Sequence, residues 1–204
     1  MAHQELQVHW NERYRTIGAE SVSWFAPEPT TALALFDEFE IGPTASVVDV
    51  GGGASRLVDH LSTRGHRDLT VVDLSHQALD IAKARAGASA ATWVCSDLLE
   101  WQPTRRYDVW HDRAAFHFLT EPADRRHYGA ALASAISPGG IVVIATFALD
   151  GPLMCSGLPV VRYDGPAIEA ELGDGFELIT SRPEEHHTPS GGSQAFTWTV
   201  LRAV

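Results

Sequence analysis

Residues 47–61 read VVDVGGGASRLVDHL, and this stretch decides the fold class. Val47 and Val48 are β-branched and apolar, which suits a buried strand, whereas Leu57, Val58 and Leu61 recur at helical spacing. Between the two patterns the backbone must turn sharply through Gly51, Gly52 and Gly53, which carry no Cβ to obstruct it. A strand, a glycine loop and a helix in that order bring main-chain N–H groups close to a nucleotide-like ligand. Asp49 stands two residues before the first glycine, an anion beside that cleft.

Downstream, DLTVVDLS (68–75) repeats the strand pattern and ends in a second acid, Asp73, 22 residues past Gly51. At about that spacing an acid on the next strand reaches ribose hydroxyls, and a carboxylate accepts two hydrogen bonds from a diol. HQALDIAKARAG (76–87) is the following helix, closed by Gly87. ATWVCSDLLEW (91–101) brings a third strand and a third acid, Asp97, an acceptor suited to an exocyclic adenine amine. Ser96 and Leu98 flank it with main-chain groups and an apolar wall. YDVWHDRAAFHFL (107–119) is a fourth strand running into a loop or short helix, followed by a helix over 121–136. SPGGIVVIATF (137–147) then reads as a turn and a fifth strand. This alternation predicts an α/β fold with a largely parallel sheet. Ligands of such sheets lie beyond the carboxyl ends of the strands, where Asp49, Asp73, Asp97 and Asp112 all fall.

The pattern breaks near the end of the chain. DGPAIEAEL (164–172) reads as a short helix, and FELITSR (176–182) and QAFTWTVLR (194–202) read as a hairpin-type pair at the sheet edge. At the other end, ELQVHWNERYRTIG (5–18) and TTALALFDEF (30–39) are helix-compatible, with the proline-broken loop SWFAPEP (23–29) before the second. Trp10 and Tyr14 share one helical face. These segments and Trp24 either cover one face of the sheet or fold over the ligand and exclude water. A single domain over 1–204 is predicted, with residues 1–40 as helical cover and 41–204 as the core.

A chain of 204 residues suits one domain with a full core. Its net charge of −11 argues against a broad grip on nucleic acid. No apolar run approaches the ~20 residues of a membrane span, and MAHQELQVHW lacks the basic start and apolar stretch of a signal peptide. Cys95 and Cys155 have no paired spacing, so neither a disulfide framework nor a zinc knuckle is expected. A cytoplasmic protein is the resulting expectation. Adjacent residues on a strand point to opposite faces, so the run Glu184-Glu185-His186-His187 is not read as a metal site.

Taken together, Asp49-Val50-Gly51-Gly52-Gly53, Asp73-Leu74, Ser96-Asp97-Leu98 and the turn Pro138-Gly139-Gly140 resemble, in order, the motifs of class I S-adenosylmethionine-dependent methyltransferases. The resemblance extends over roughly residues 40–204. It implies a Rossmann-like, seven-stranded, mostly parallel sheet with helices on both faces and a C-terminal antiparallel hairpin. It further implies S-adenosylmethionine as cofactor, its methionine part facing Asp49 and the glycine loop, its ribose Asp73, its adenine Asp97. Ser55 departs from the family's loop, where a last glycine is usual. His111-Asp112-Arg113 is similar to the Asp-Arg pair after the fourth strand of thiopurine methyltransferase-like enzymes. HW-x-x-RY followed by SWF and a proline is similar to lysine methyltransferase-like proteins as well.

The expected cofactor-binding set is therefore Trp24, Asp49, Gly51, Gly52, Gly53, Asp73, Leu74, Ser96, Asp97, Leu98 and Asp112. His111, Arg113 and His117 are the candidates at the transfer centre, histidine being able to change charge near neutral pH. MCSGLPVVRY (154–163) is a candidate substrate lid carrying Cys155 and Arg162. The expected acceptor is a small molecule bearing S, N or O, with a protein lysine second. A nicotinamide-dependent oxidoreductase would want a glycine where Arg56 stands and leaves Asp49 and Asp97 without a role. A non-catalytic protein that keeps the cofactor cleft is the alternative from another class.

Overall fold

The computed structural model describes residues 3–87 and 90–204. The chain divides into two compact units, Met1–Leu98 with Thr188–Gly192, and Leu99–His187 with Ser193–Val204. The main sheet has seven strands and is mostly parallel, with an antiparallel edge.

The first unit begins with helices α1 (His3–Ile17) and α2 (Thr30–Glu38). It continues through β1 (Val47–Val50), α3 (Leu57–Thr63), β2 (Leu69–Asp73), α4 (His76–Ala86) and β3 (Thr92–Cys95). The three strands are parallel in the order β3-β2-β1, with Val47 opposite Leu69 and Asp73 opposite Cys95. Every residue of β1 is buried, so both its faces are covered, as a continuous Val-rich strand in a parallel sheet requires. Leu35, Phe36, Leu57, Leu61 and Leu79 supply buried apolar side chains from the helices. The boundaries of α4 have local causes. Ser75 caps α4 by accepting from the Ala78 N–H at 3.1 Å, and Gly87 ends it at φ 92°. Ser55, the departure from the expected glycine, accepts the Leu57 N–H at 3.1 Å just ahead of α3, whose N-cap residue Arg56 makes no side-chain cap bond.

The second unit runs β4 (Tyr107–Arg113), a 3-10 turn (Phe116–Phe118), α5 (Pro122–Ala135) and β5 (Ile136–Phe147). Then come the two-residue strands β6 (Met154–Cys155) and β7 (Leu158–Pro159), α6 (Gly165–Leu172), β8 (Phe176–His187) and β9 (Ser193–Ala203). Its strands follow the order β4-β5-β9-β8; β4 and β5 are parallel, and β9 is antiparallel to both its neighbours.

Two sequence expectations need correction. Pro138-Gly139-Gly140 is not a turn ahead of the fifth strand. Strand β5 already begins at Ile136, and the pairs Tyr107↔Ile136 and Val109↔Ile141 bracket a bulge that holds these residues. Proline cannot donate to a ladder and Gly139 adopts φ 76°, so the chain bulges there without breaking the strand. The first hairpin strand also continues past Arg182 to His187, which places the Glu-Glu-His-His run inside β8. There His186 is buried and His187 exposed. No helix among the described residues is long and apolar enough to cross a membrane.

Candidate active site

The cradle in the first unit is built around the loop after β1. Gly51 and Gly53 take φ values of 64° and 48°, in the left-handed region that disfavours a Cβ. The loop is held by the Gly51 N–H to the Val72 carbonyl and by the Ser55 N–H to the Gly52 carbonyl, each 2.8 Å. A Cβ on Gly52 would stand 2.6 Å from Asp49 Oδ2 and 2.8 Å from Val71 Cγ1. One on Gly53 would stand 2.7 Å from the Tyr14 hydroxyl and 3.1 Å from Asp73 Oδ2. Both acids therefore lie directly against the glycine backbone, and any side chain at Gly52 or Gly53 would displace them.

Asp73 joins three segments. Its Oδ1 accepts the Ser75 N–H at 2.7 Å, its carboxylate is also bonded by the Gly53 N–H, and its carbonyl accepts the Ser96 N–H at 3.0 Å. That last bond holds Ser96-Asp97-Leu98, all half-buried, at the end of β2. Burial pushes the Asp73 carboxyl up to about 7; the Ser75 and Gly53 N–H groups oppose the rise, and the neighbouring charge of Asp49 adds to it. Leu74 follows on the β2–α4 turn, where its carbonyl accepts from Gln7 Nε2 at 3.2 Å. Trp24 lies edge-on to Tyr14 at 6.1 Å and to Trp10 at 5.7 Å, packed against a cluster of Tyr14, Ala54 and Ala78.

In the second unit the polar residues at the end of β4 form a different arrangement. Asp112 is fully buried. Its Oδ1 accepts the Ala115 N–H at 2.9 Å, and its Oδ2 accepts the Phe116 N–H at 3.1 Å and the Tyr128 hydroxyl at 2.8 Å. Tyr128 in turn accepts from Trp110 Nε1 at 2.8 Å. Asp112 thus fixes the turn that leads to His117, through Ala114 at φ 67°. Burial raises its carboxyl to about 6 despite these donors. His111 is buried, its ring 5.9 Å from that of Trp198. The Arg113 guanidinium lies over Phe196 at 4.8 Å; burial lowers its pKa against the charge of Glu184, which itself accepts from Trp198 Nε1 at 2.7 Å.

His117 is fully buried between Phe118 and Phe147, at 4.6 and 4.8 Å between ring centroids. Its Nδ1 accepts the Phe147 N–H at 3.4 Å, and its Nε2 has no hydrogen-bond partner among the described residues. Burial, with Arg113 adding, lowers its pKa to about 3, so the ring is neutral at physiological pH. A neutral imidazole of such low basicity is suited to hold a polar atom by a hydrogen bond, not to take up a proton. The 154–163 segment is pinned at its end, the Val161 N–H to the His117 carbonyl at 2.8 Å and the Tyr163 N–H to the Phe147 carbonyl at 3.1 Å. Cys155 in it is buried, while Leu153 and Met154 beside it are exposed.

Sequence reading did not anticipate several contributors. Tyr14 was visible as one side of a helical face, but its approach to Gly53 was not. Arg85 of α4 makes a two-pronged ion pair with Asp59, both bonds 2.8 Å, and reaches the carbonyls of Ala54 and Ser55 behind the loop at 3.1 and 2.6 Å. Nothing in the local pattern of α4 singles out this arginine among surface cations.

Comparison with known proteins agrees with this architecture. Residues 47–140 match the family profile described as a methyltransferase domain. The chain is 29% identical over 108 residues to malonyl-[acyl-carrier protein] O-methyltransferase of Anoxybacillus flavithermus, an alignment covering 52% of this chain and 40% of that protein. It is 26% identical over 153 residues to EEF1A lysine methyltransferase 2 of Danio rerio, covering 70% and 64%. The chain thus spans less than two thirds of the length of either relative. Among solved structures, a SAM-dependent methyltransferase from Anabaena variabilis superposes with a TM-score of 0.79 at 16% identity, covering 100% of this chain and 96% of that one. Residues 47–140 thus match the methyltransferase-domain profile, and the chain as a whole has the fold of the class I S-adenosylmethionine-dependent methyltransferases.

Proposed function

We propose that the protein is an S-adenosylmethionine-dependent methyltransferase acting in the cytoplasm on a small molecule with an S, N or O acceptor atom. The observation that carries the reading is the meeting of Asp49, Asp73 and two side-chain-free glycines at one loop, with Ser96-Asp97-Leu98 tied to the same strand end. The missing Cβ atoms let both acids stand against the loop backbone, and the acids offer acceptors to a diol and an amine as well as negative charge for a cation. In this reading residues 1–40 are the helical cover and 41–204 the core of one methyltransferase domain.

When bound, the cofactor would supply an already activated methyl group on a cationic sulfur. The protein's own task is alignment and exclusion of water. Asp73 would accept the ribose hydroxyls, Asp97 the adenine amine between Ser96 and Leu98, and Asp49 would balance positive charge beside Gly51, Gly52 and Gly53. Trp24, set in the aromatic group with Tyr14 and Trp10, would shield the site. On the acceptor side we assign His111, Arg113 and His117, with His117 as a fixed neutral hydrogen-bonding group and Asp112 holding the turn that carries it. The anionic chain favours a small acceptor over nucleic acid.

A protein lysine is the second reading, favoured by the likeness over 70% of the chain to the Danio rerio lysine methyltransferase. Incubation with cofactor labelled in its methyl group separates the two. Label in small thiols, amines or hydroxy acids with stoichiometric S-adenosylhomocysteine supports the first reading, and label retained on protein lysines supports the second. Cofactor binding without turnover across both pools would favour a non-catalytic binder.

A further inference from the structure

Arg85, in the last turn of α4, divides its N–H donors between two kinds of partner. Nε and Nη2 each donate to the Asp59 carboxylate at 2.8 Å, the two-pronged geometry that a planar guanidinium supplies and an ammonium does not. Nη1 and Nη2 also reach the main-chain carbonyls of Ala54 at 3.1 Å and Ser55 at 2.6 Å. Asp59 lies on α3, so the pair ties together the helix that follows the glycine loop and the helix that follows Asp73. Ala78 and Ala82, both wholly buried, recur with Arg85 at intervals of four and three and so share its face of α4. Ala78 packs in one cluster with Ala54, which sets this face against the loop.

The two carbonyls belong to the residues directly after the three glycines. A trans peptide unit points its C=O and N–H in opposite directions. The Ala54–Ser55 unit is therefore held from both sides, its oxygen by Arg85 and its N–H by the Gly52 carbonyl at 2.8 Å. With Ser55 Oγ accepting the Leu57 N–H at 3.1 Å and its carbonyl on Arg85, every polar group of Ser55 is engaged. Three successive glycines have little conformational preference of their own, so such a loop keeps one shape only through bonds from outside it. Arg85 and Asp59 are each 25% exposed, against 65% and 51% for the Arg15–Glu12 pair, so solvent screens the first pair less.

We propose that Arg85 is a positioning residue for the cofactor site. With Asp59 it clamps the end of the glycine loop, and so keeps the loop, including the Gly53 N–H that bonds Asp73, in its binding shape before cofactor arrives. The proposal rests on the cofactor reading above. A loop ordered in advance spares binding the cost of ordering it, and the saving appears as affinity.

Calorimetry with S-adenosylhomocysteine on folded variants, checked by thermal melts, tests the clamp. Arg85→Ala should bind about tenfold more weakly or worse, as the loss of hydrogen bonds from a charged group implies. Millimolar methylguanidinium should restore several-fold of that affinity in Arg85→Ala and change nothing in the wild type. Arg85→Lys keeps the charge but not the fork, and should still bind several-fold more weakly than the wild type. Arg64→Ala, which breaks the more exposed pair with Asp37, should leave affinity unchanged. Unchanged affinity in Arg85→Ala with a lowered melting temperature would reduce the pair to a staple between helices and overturn the proposal. Equal losses in Arg85→Ala and Arg64→Ala, or no rescue by methylguanidinium, would overturn it as well. Should Arg85→Ala not fold, wild-type affinity in Arg85→Lys decides against the clamp. A wild type that binds no S-adenosylhomocysteine overturns the cofactor reading itself, a result distinct from binding that ignores Arg85.

Discussion

Asp73 shows how much of the site depends on the surroundings of one carboxyl group. Its pKa is raised from 3.8 to about 7, chiefly by burial. In the ligand-free protein this group therefore contributes stability that is fully present below about pH 4 and lost as pH rises through about 7. Ionised Asp73 is the better acceptor for a ribose diol and the better partner for a cation. Cofactor affinity should accordingly rise between about pH 6 and 8 with release of a proton, measurable by calorimetry in buffers of different ionisation enthalpy. Asp73→Asn should weaken binding ~10- to 100-fold, as the loss of hydrogen bonds to a charged group implies, and should flatten the pH dependence. Gly52→Ala tests the loop sterically. Its new Cβ would meet Asp49 Oδ2 at 2.6 Å and Val71 Cγ1 at 2.8 Å, so denaturant melts should show a loss of about 1–3 kcal/mol. These residues were legible in the sequence because strand, loop and acid lie within one short spacing. The bonding of Asp112 was not, because its partner Tyr128 is 16 residues away and meets it only through the packing of α5.

At the scale of elements, the β4–α5 connection rests on the chain Trp110–Tyr128–Asp112. Tyr128→Phe would remove one donor and one acceptor from a wholly buried network. It should cost about 1–3 kcal/mol of stability and lower the melting temperature by a few degrees, read by calorimetric scanning. Strands with β-branched runs and helices with clear stops, such as β2 and α4, were predicted almost to the residue. The bulge in β5 was not, because Pro138-Gly139-Gly140 has turn chemistry and only pairing with β4 keeps the strand continuous through it. The extension of β8 was missed for a related reason. Pro183, Glu184 and Glu185 look like a surface loop locally, yet β9 pairs with all of them. Proline is tolerated there because β8 ends the strand order and can leave a donor position empty.

For the whole molecule, the fold and the cofactor cradle follow from motifs in register, whereas the acceptor does not. A sulfonium donor is already activated, so the reaction demands no catalytic dyad that a sequence would reveal. In the proposed reading, acceptor choice falls instead to His117 and Arg113, whose surroundings depend on burial and long-range packing and on no local spacing. The central claim is that the cradle around Gly52, Gly53 and Asp73 binds an adenosyl sulfonium cofactor. Titration calorimetry of the purified protein with S-adenosylmethionine, S-adenosylhomocysteine and NAD tests it most directly. The account predicts micromolar binding of the first two, silence from NAD, and a marked loss of affinity in a folded Asp73→Ala variant. Binding of NAD alone, or equal affinity in that variant, would contradict it.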